Sequence, residues 1–185
     1  MKKILLTVLF LLVIAGCVGP AQSSPETSTS ENISEETTES PGLPSWQTAE
    51  MTDVLTNQSF SVNSLSKPVL VESFAIWCPP CTRQQQEIKR LKNMRNITSV
   101  SVNVDPEEDD VRVRDHATSN DFDWRYVTAP KPTTSKFVEV FGRTFISPPS
   151  VPVILVCDDK NYELLDRGVM TASQLDETVA ATCAA

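Results

Sequence analysis

The sequence predicts an α/β domain, a mixed central sheet flanked by helices and preceded by a small β-hairpin. Three observations carry this. From Val69 onward, apolar runs of strand length alternate with segments of helical spacing, the pattern of parallel strands joined by right-handed crossovers. The last two strand-like runs are separated only by Asp158-Asp159-Lys160-Asn161, so the sheet ends in an antiparallel hairpin. Residues 46–185 are a normal length for one domain with its own core.

Met51 to Val62 alternates weakly around Thr56-Asn57-Gln58, a turn signal, and reads as the leading hairpin. Val69 to Ile76 is β-branched and aromatic with a single acid inside, hence a buried strand. Pro79 to Arg95 reads as a helix: proline suits a first helical turn, and Ile88, Leu91 and Met94 recur at helical spacing. Thr98 to Val104 alternates polar and apolar residues as a strand. Asp105-Pro106-Glu107-Glu108 then opens a helix running to about Asn120. Trp124 to Val127 is a short strand and Thr134 to Phe141 a short helix. Val153–Cys157 and Glu163–Val169 form the closing hairpin, and Thr171 or Ser173 caps a last helix through Thr182. There is no internal repeat.

The N-terminal 45 residues belong to none of this. Met1-Lys2-Lys3 is a short positive start, Ile4 to Ala15 is apolar apart from Thr7, and small residues precede Cys17. That order is an export signal, too short in its apolar part to span a membrane comfortably. The Ile14-Ala15-Gly16-Cys17 ending resembles a lipoprotein signal, which implies cleavage before Cys17 and acylation of its thiol. Residues 18–45 are rich in Ser, Thr, Glu and Pro, with five glutamates and no basic residue. Such a stretch buries too little apolar surface to offset its ordering entropy. It is expected to be a tether reaching roughly 30 Å from a membrane surface.

The formal net charge is −8, which argues against nucleic acid or anionic head groups as partners. Sequons at Asn32, Asn57 and Asn96 matter only in a host that glycosylates exported proteins. Of the five cysteines, Cys78 and Cys81 are separated by two residues. A pair so spaced closes a small disulfide ring and reopens it. Cys78 falls at the start of a helix, where unpaired N–H groups and the dipole favour a thiolate, the form that attacks disulfides. Cys81, one turn in, would resolve the mixed disulfide. The other reading, half a zinc site, needs two further ligands, and the one histidine, His116, has no partner at ligand spacing. His116 itself reads as a surface residue, and Asp105 to Asp110 as a solvated helix start.

Pro79 and Pro80 offer the Cys78 thiolate no N–H donor. A less stabilised thiolate makes a less oxidising couple, which favours a reductase over a disulfide-forming oxidant. Glu72 is the other unusual residue: an acid in a run of Val, Leu, Phe and Ile must be neutral or partnered, or must face solvent at a sheet edge. Cys157 falls at the far end of its strand from the redox pair, and the chain's last reversal returns Cys183 to that same end. They are either a disulfide or two separate buried thiols.

Val69 through Leu91, with Trp77-Cys78-Pro79-Pro80-Cys81, resembles the active-site segment of thioredoxin-like proteins. The leading hairpin and the extra βα unit at about 98–120 resemble the membrane-tethered TlpA/ResA-type branch. Ser147-Pro148-Pro149-Ser150-Val151-Pro152-Val153 is similar to the family's cis-proline loop. The resemblance implies a thioredoxin fold over 46–185 and a thiol:disulfide oxidoreductase without cofactor or metal. It implies that Glu72 takes the place of a buried aspartate that shuttles a proton for the inner cysteine. It also implies that Pro152 is cis and faces the cysteines, and that Val151 presents its backbone to an extended substrate. Trp77, Pro79 and Pro80 complete the expected substrate surface, with Trp77 either a packing residue or a contact. The partners expected are exported proteins with cysteine pairs, a membrane electron donor and, through Cys17, the membrane itself; the protein is expected to act as a monomer. A copper-delivery protein on the same fold is the alternative, although such proteins typically space their cysteines one residue further apart.

Overall fold

In a computed structural model of the protein, residues 42–183 are described. The signal, Cys17, Asn32 and the tether up to residue 41 lie outside the described residues. Among the described residues, no helix is long and apolar enough to cross a membrane.

Five strands form one sheet in the order β5-β4-β3-β6-β7. β3 (Val69–Phe74) lies at its centre, parallel to β4 (Thr98–Asn103) and antiparallel to β6 (Val153–Val156). β5 (Arg125–Thr128) extends the parallel side, and β7 (Tyr162–Leu164) closes the antiparallel hairpin. Each residue of β3 is buried, as a strand with two neighbours and two covered faces must be. The leading hairpin, β1 (Met51–Thr52) and β2 (Ser59–Phe60), is a separate two-stranded ribbon.

One face of the sheet packs Leu70, Phe74 and Leu155 against α2 (Pro79–Met94), α3 (Asp110–Ser119) and α5 (Ala172–Cys183). The opposite face packs Val69, Val71, Val100, Val102 and Ile154 against Phe137 of α4 (Lys131–Phe141), Phe145 and Trp46. Trp46 belongs to a four-residue helix, α1 (Ser45–Thr48), which the sequence pattern does not announce. Its ring is fully buried, 5.4 Å from Phe137, 5.1 Å from Phe141 and 5.3 Å from Tyr162. The domain's first residue is thus a core anchor.

Two boundaries differ most from the sequence reading, while α4 starts three residues earlier than Thr134. α3 begins at Asp110 rather than near Pro106, because Asp109 is its cap and accepts from the Arg112 N–H at 2.9 Å. β7 ends at Leu164 instead of Val169, and the chain turns at Gly168 before Thr171, whose hydroxyl accepts from the Gln174 N–H, starts α5. Gln174 returns the bond through Oε1 to the Thr171 N–H, a reciprocal cap.

Cys157 and Cys183 are joined by a disulfide with Cα atoms 5.0 Å apart. Cys157 follows Val156, which pairs with Val69 at the start of β3, so the bridge sits at the end of the sheet away from Phe74 and Cys78. It spans 26 residues, a loop whose closure is worth roughly 3–4 kcal/mol in the unfolded chain. A Cys157→Ala/Cys183→Ala double variant is expected to melt about 10 °C lower in calorimetry while keeping the 78/81 chemistry.

Candidate active site

β3 delivers the chain to the site, and Ile76-Trp77 turn it into α2. Cys78 is the N-cap of α2, with Pro79 and Pro80 in the first turn. The prolines leave the Cys81 N–H as the first-turn donor directed at the cap, and it reaches Cys78 Sγ at 3.2 Å. Cys78 and Cys81 form a disulfide with Cα atoms 5.3 Å apart. Cys81 Sγ lies 3.1 Å from the carbonyl oxygen of Pro148, so the 147–152 loop rests directly on the inner sulfur.

Two site residues differ from the expectation for that loop. Among the described residues the cis peptide is Lys67–Pro68, and the bond preceding Pro152 is trans. The unusual backbone of the loop lies one residue earlier. Val151 adopts a left-handed conformation, φ 52° and ψ 57°, after a 3₁₀ turn at Pro148–Ser150. A β-branched residue there carries strain of order 1–3 kcal/mol. Val151 is buried, and its N–H donates to Pro148 O at 2.8 Å within its own turn. Its N–H is therefore unavailable to an incoming peptide in this form. Pro152 is buried too, and its carbonyl accepts from the Ser73 N–H at 3.2 Å.

The cysteines are also less open than a helix edge suggests. Cys78 is 1% exposed and Cys81 fully buried, whereas Trp77 is 58% exposed beside them. Pro79 is exposed and Pro80 half-buried. In the disulfide form neither cysteine presents an open face to a partner.

Residues 105–108, read from sequence as a solvated helix start, brace this loop instead. Glu108 is 5% exposed, and its carboxylate accepts from the Ile76 N–H at 3.0 and 2.9 Å and from the Asn103 side-chain amide. Asp105 accepts from the Trp77 indole N–H, and that bond, with a second from the Glu107 N–H, holds its carboxyl below the usual range. Asp105 is on the wall of a cleft of about 550 Å³ lined by Val104, Pro106, Ala129, Pro130 and Ile146, at the C-terminal ends of β4 and β5. Nothing in the spacing of these acids marks them as braces.

Glu72 points to the α2 face and is 1% exposed. Its Oε1 accepts from Ser101 Oγ at 2.6 Å, and Ser101 in turn accepts from the Trp124 indole N–H at 2.8 Å. Burial pushes the Glu72 carboxyl from 4.5 to about 8, against the opposing pull of Ser101 and of the Gln85 amide facing it. Gln85 follows Cys81 by four residues on the same face of α2, so the side chain facing Glu72 is about one helical turn, roughly 5 Å along the axis, from the inner cysteine.

His116 is not at the surface. It is 9% exposed, stacked on Phe74 with ring centroids 5.4 Å apart, and its Nε2 lies 2.7 Å from Gln85 Oε1. Burial lowers its pKa, partly opposed by the Glu108 charge. Its helix is polar in sequence, and the inward turn at 113, 116 and 117 has only Val113 and Ala117 as apolar markers.

The thioredoxin family model matches residues 51–116, a little over a third of the chain, including Cys78, Cys81 and Glu72. A secreted Mycobacterium tuberculosis disulfide oxidoreductase superposes with a TM-score of 0.59 at 16% identity, covering 74% of this chain and 96% of that one. The fold is that of thioredoxin. A thiol:disulfide interchange protein from Chlorobium tepidum gives a TM-score of 0.56 at 18% identity, over 73% of this chain and 92% of its own. StoA from Bacillus subtilis gives 0.52 at 22% identity, over 74% and 98%. No curated protein matches the sequence. In thioredoxin-fold terms, β3 and α2 carry the redox pair and β6 follows the loop packed against it.

Proposed function

We propose that this protein is an extracytoplasmic thiol:disulfide oxidoreductase that reduces disulfides in exported proteins. The observation that carries the reading is the Cys78–Cys81 disulfide at the head of α2, with the Cys81 N–H aimed at Cys78 Sγ. In the reduced protein the Cys78 thiolate attacks one sulfur of a substrate disulfide. A Cys78–substrate bond forms and the other substrate sulfur leaves as a thiolate. Glu72 then accepts the Cys81 proton, and the Cys81 thiolate attacks Cys78 Sγ. The second substrate thiolate is released and the protein disulfide is restored. The substrate gains two electrons, which a membrane donor must return.

The Pro79-Pro80 pair supports the reductase direction, since it removes two N–H donors that would stabilise the thiolate and make the couple more oxidising. The Ile14-Ala15-Gly16-Cys17 ending and the acidic segment after it support an acylated Cys17 and a tethered domain of the TlpA/ResA type. The cleft beside Trp77 and Asp105 offers an apolar seat for residues flanking the substrate cysteine. The disulfide-forming direction remains the competing reading, and the potential of the couple separates them. A value below about −200 mV is expected, and one near −120 mV reverses the direction.

A Cys81→Ser variant retains the attacking thiol and lacks the resolving one. It is expected to accumulate a covalent adduct with a disulfide-containing exported protein, visible as a reducible band on non-reducing gels. No adduct, with free Cys78 still titratable, rejects the mechanism.

A further inference from the structure

Beneath α2 lies a buried polar chain of which the exchange steps above use only one end, Glu72. Glu72 on β3 faces Gln85 on α2, and Gln85 meets His116 on α3. Gln85 is fully buried, so neither end of its amide has water to fall back on. The two ends are chemically opposite, an acceptor and a donor, and a half-turn of the amide exchanges them. Which end faces Glu72 decides whether the ionised or the protonated carboxyl is favoured.

We propose that His116 is a positioning residue that acts through Gln85: its Nε2–H donates to Gln85 Oε1 and thereby turns the Gln85 amide nitrogen toward the Glu72 carboxyl. The inference rests on the oxidoreductase reading only for its consequence, since the arrangement exists whatever the substrate. Gln85 Oε1 lies 2.7 Å from the imidazole, while Gln85 Nε2 and Glu72 Oε2 are both buried and each lacks a hydrogen-bond partner. They are complementary and on facing elements. The histidine is itself fixed by the rings around it, Phe74 at 5.4 Å, Phe122 at 6.0 Å and Tyr126 at 6.3 Å. It cannot pivot to another acceptor without displacing core side chains.

The charged and titratable groups on every side are few. Glu108, from the loop before α3, is the anion acting on His116. Around Glu72 stand Ser101 from β4, Gln85 from α2 and the Tyr126 hydroxyl from β5, which Asp123 also influences. From β6, its register partner is Val153, which does not titrate. With His116 neutral, the Nε2–H tautomer makes Gln85 a donor to Glu72. The Nδ1–H tautomer would let the amide reverse and present its oxygen instead, stabilising a protonated acid. The amide thus biases the proton affinity of the group that serves Cys81.

The sequence contains one histidine, so its ring nitrogens give an uncrowded spectrum. Long-range ¹H–¹⁵N correlation of the wild-type protein above the His116 titration is expected to show the Nε2–H tautomer. The Nδ1–H tautomer overturns the proposal. His116→Phe keeps a ring on Phe74 and removes the donor. In this variant the Glu72 carboxyl carbon, assigned by its loss in Glu72→Gln, is expected to titrate about half a pH unit higher or more. The pH profile of exchange should move upward with it, and His116→Gln, which restores an N–H, should move both back. An unchanged Glu72 titration overturns the proposal even where the tautomer is as expected. If His116→Phe does not fold, Gln85→Leu provides the same carboxyl measurement, and the wild-type tautomer decides alone if neither folds. Wild-type protein inactive in exchange would remove the oxidoreductase reading and leave both spectroscopic results standing.

Discussion

Cys78→Ser is expected to lose disulfide exchange by roughly 10³-fold or more, measured as turnover of a disulfide-bonded protein substrate. A hydroxyl at the cap of α2 still accepts the Cys81 N–H, so the helix start is preserved while the nucleophile is gone. The variant leaves Cys81 as a free thiol, which in this fold is fully buried and packed against Pro148 O. Residual exchange above a few per cent would mean that Cys81 reaches substrate by itself. The order of attack, and with it the role of Trp77 and Pro79 as the exposed approach, would then be reversed. The wild-type protein tests the burial of the pair. Cys78 is covered to 99% in the oxidised form, so if exchange depends on local opening, modification of the reduced wild-type thiol should speed up in mild denaturant. A rate insensitive to denaturant would mean that reduction alone uncovers the sulfur.

How far the sequence reveals this molecule depends on what kind of signal each residue carries. Val69 to Phe74, the helix from Pro79 and the closing hairpin are legible because their apolar spacing is set by the same core they build. β4 shows where such reading stops. Its alternation of Ser99, Ser101 and Asn103 with Val100 and Val102 looks like a strand with one wet face, yet both faces are buried. The polar face serves partners from elsewhere in the chain, Ser101 binding Glu72 and Asn103 binding Glu108. A hydrogen bond between residues 29 apart leaves no periodic trace. His116 escapes the sequence pattern for the same reason: helix α3 is mostly polar, and its burial depends on Phe74 and Phe122 closing over it. The 147–152 loop is a different case. The resemblance implies a cis Pro152 facing the cysteines, whereas the loop meets Cys81 through Pro148 and its unusual backbone is the left-handed one at Val151. A motif fixes where a chain must reverse more firmly than which dihedral performs the reversal. Trp46 stands at the limit of a disordered-looking composition, and four helical residues are too few to show a period.

Glu72→Gln is expected to make the protein more stable and slower at once. The carboxyl has about 8 in the fold against 4.5 ordinarily, so the folded state binds its proton more tightly than the unfolded chain does. Below pH 4.5 both states hold the proton and Glu72 costs nothing. Between 4.5 and 8 the unfolded chain ionises first, and each pH unit removes about 1.4 kcal/mol of stability. Above 8 the penalty is constant at about 5 kcal/mol as an upper figure. Glutamine keeps the carbonyl that accepts from Ser101 and carries no charge to desolvate. Chemical denaturation should therefore find wild type and variant alike at pH 4, with the variant ahead by about 3 kcal/mol at pH 7. Exchange should fall roughly 10²-fold, because Cys81 loses the base that takes its proton. The two effects have a single source: a carboxylate held dry enough to act as a base near neutral pH is one the fold would be more stable without. A variant that gains stability and keeps its rate would leave Glu72 a structural burden with no part in the chemistry. One that loses stability at pH 7 would show that the ionised carboxylate is satisfied by partners beyond Ser101 and Gln85.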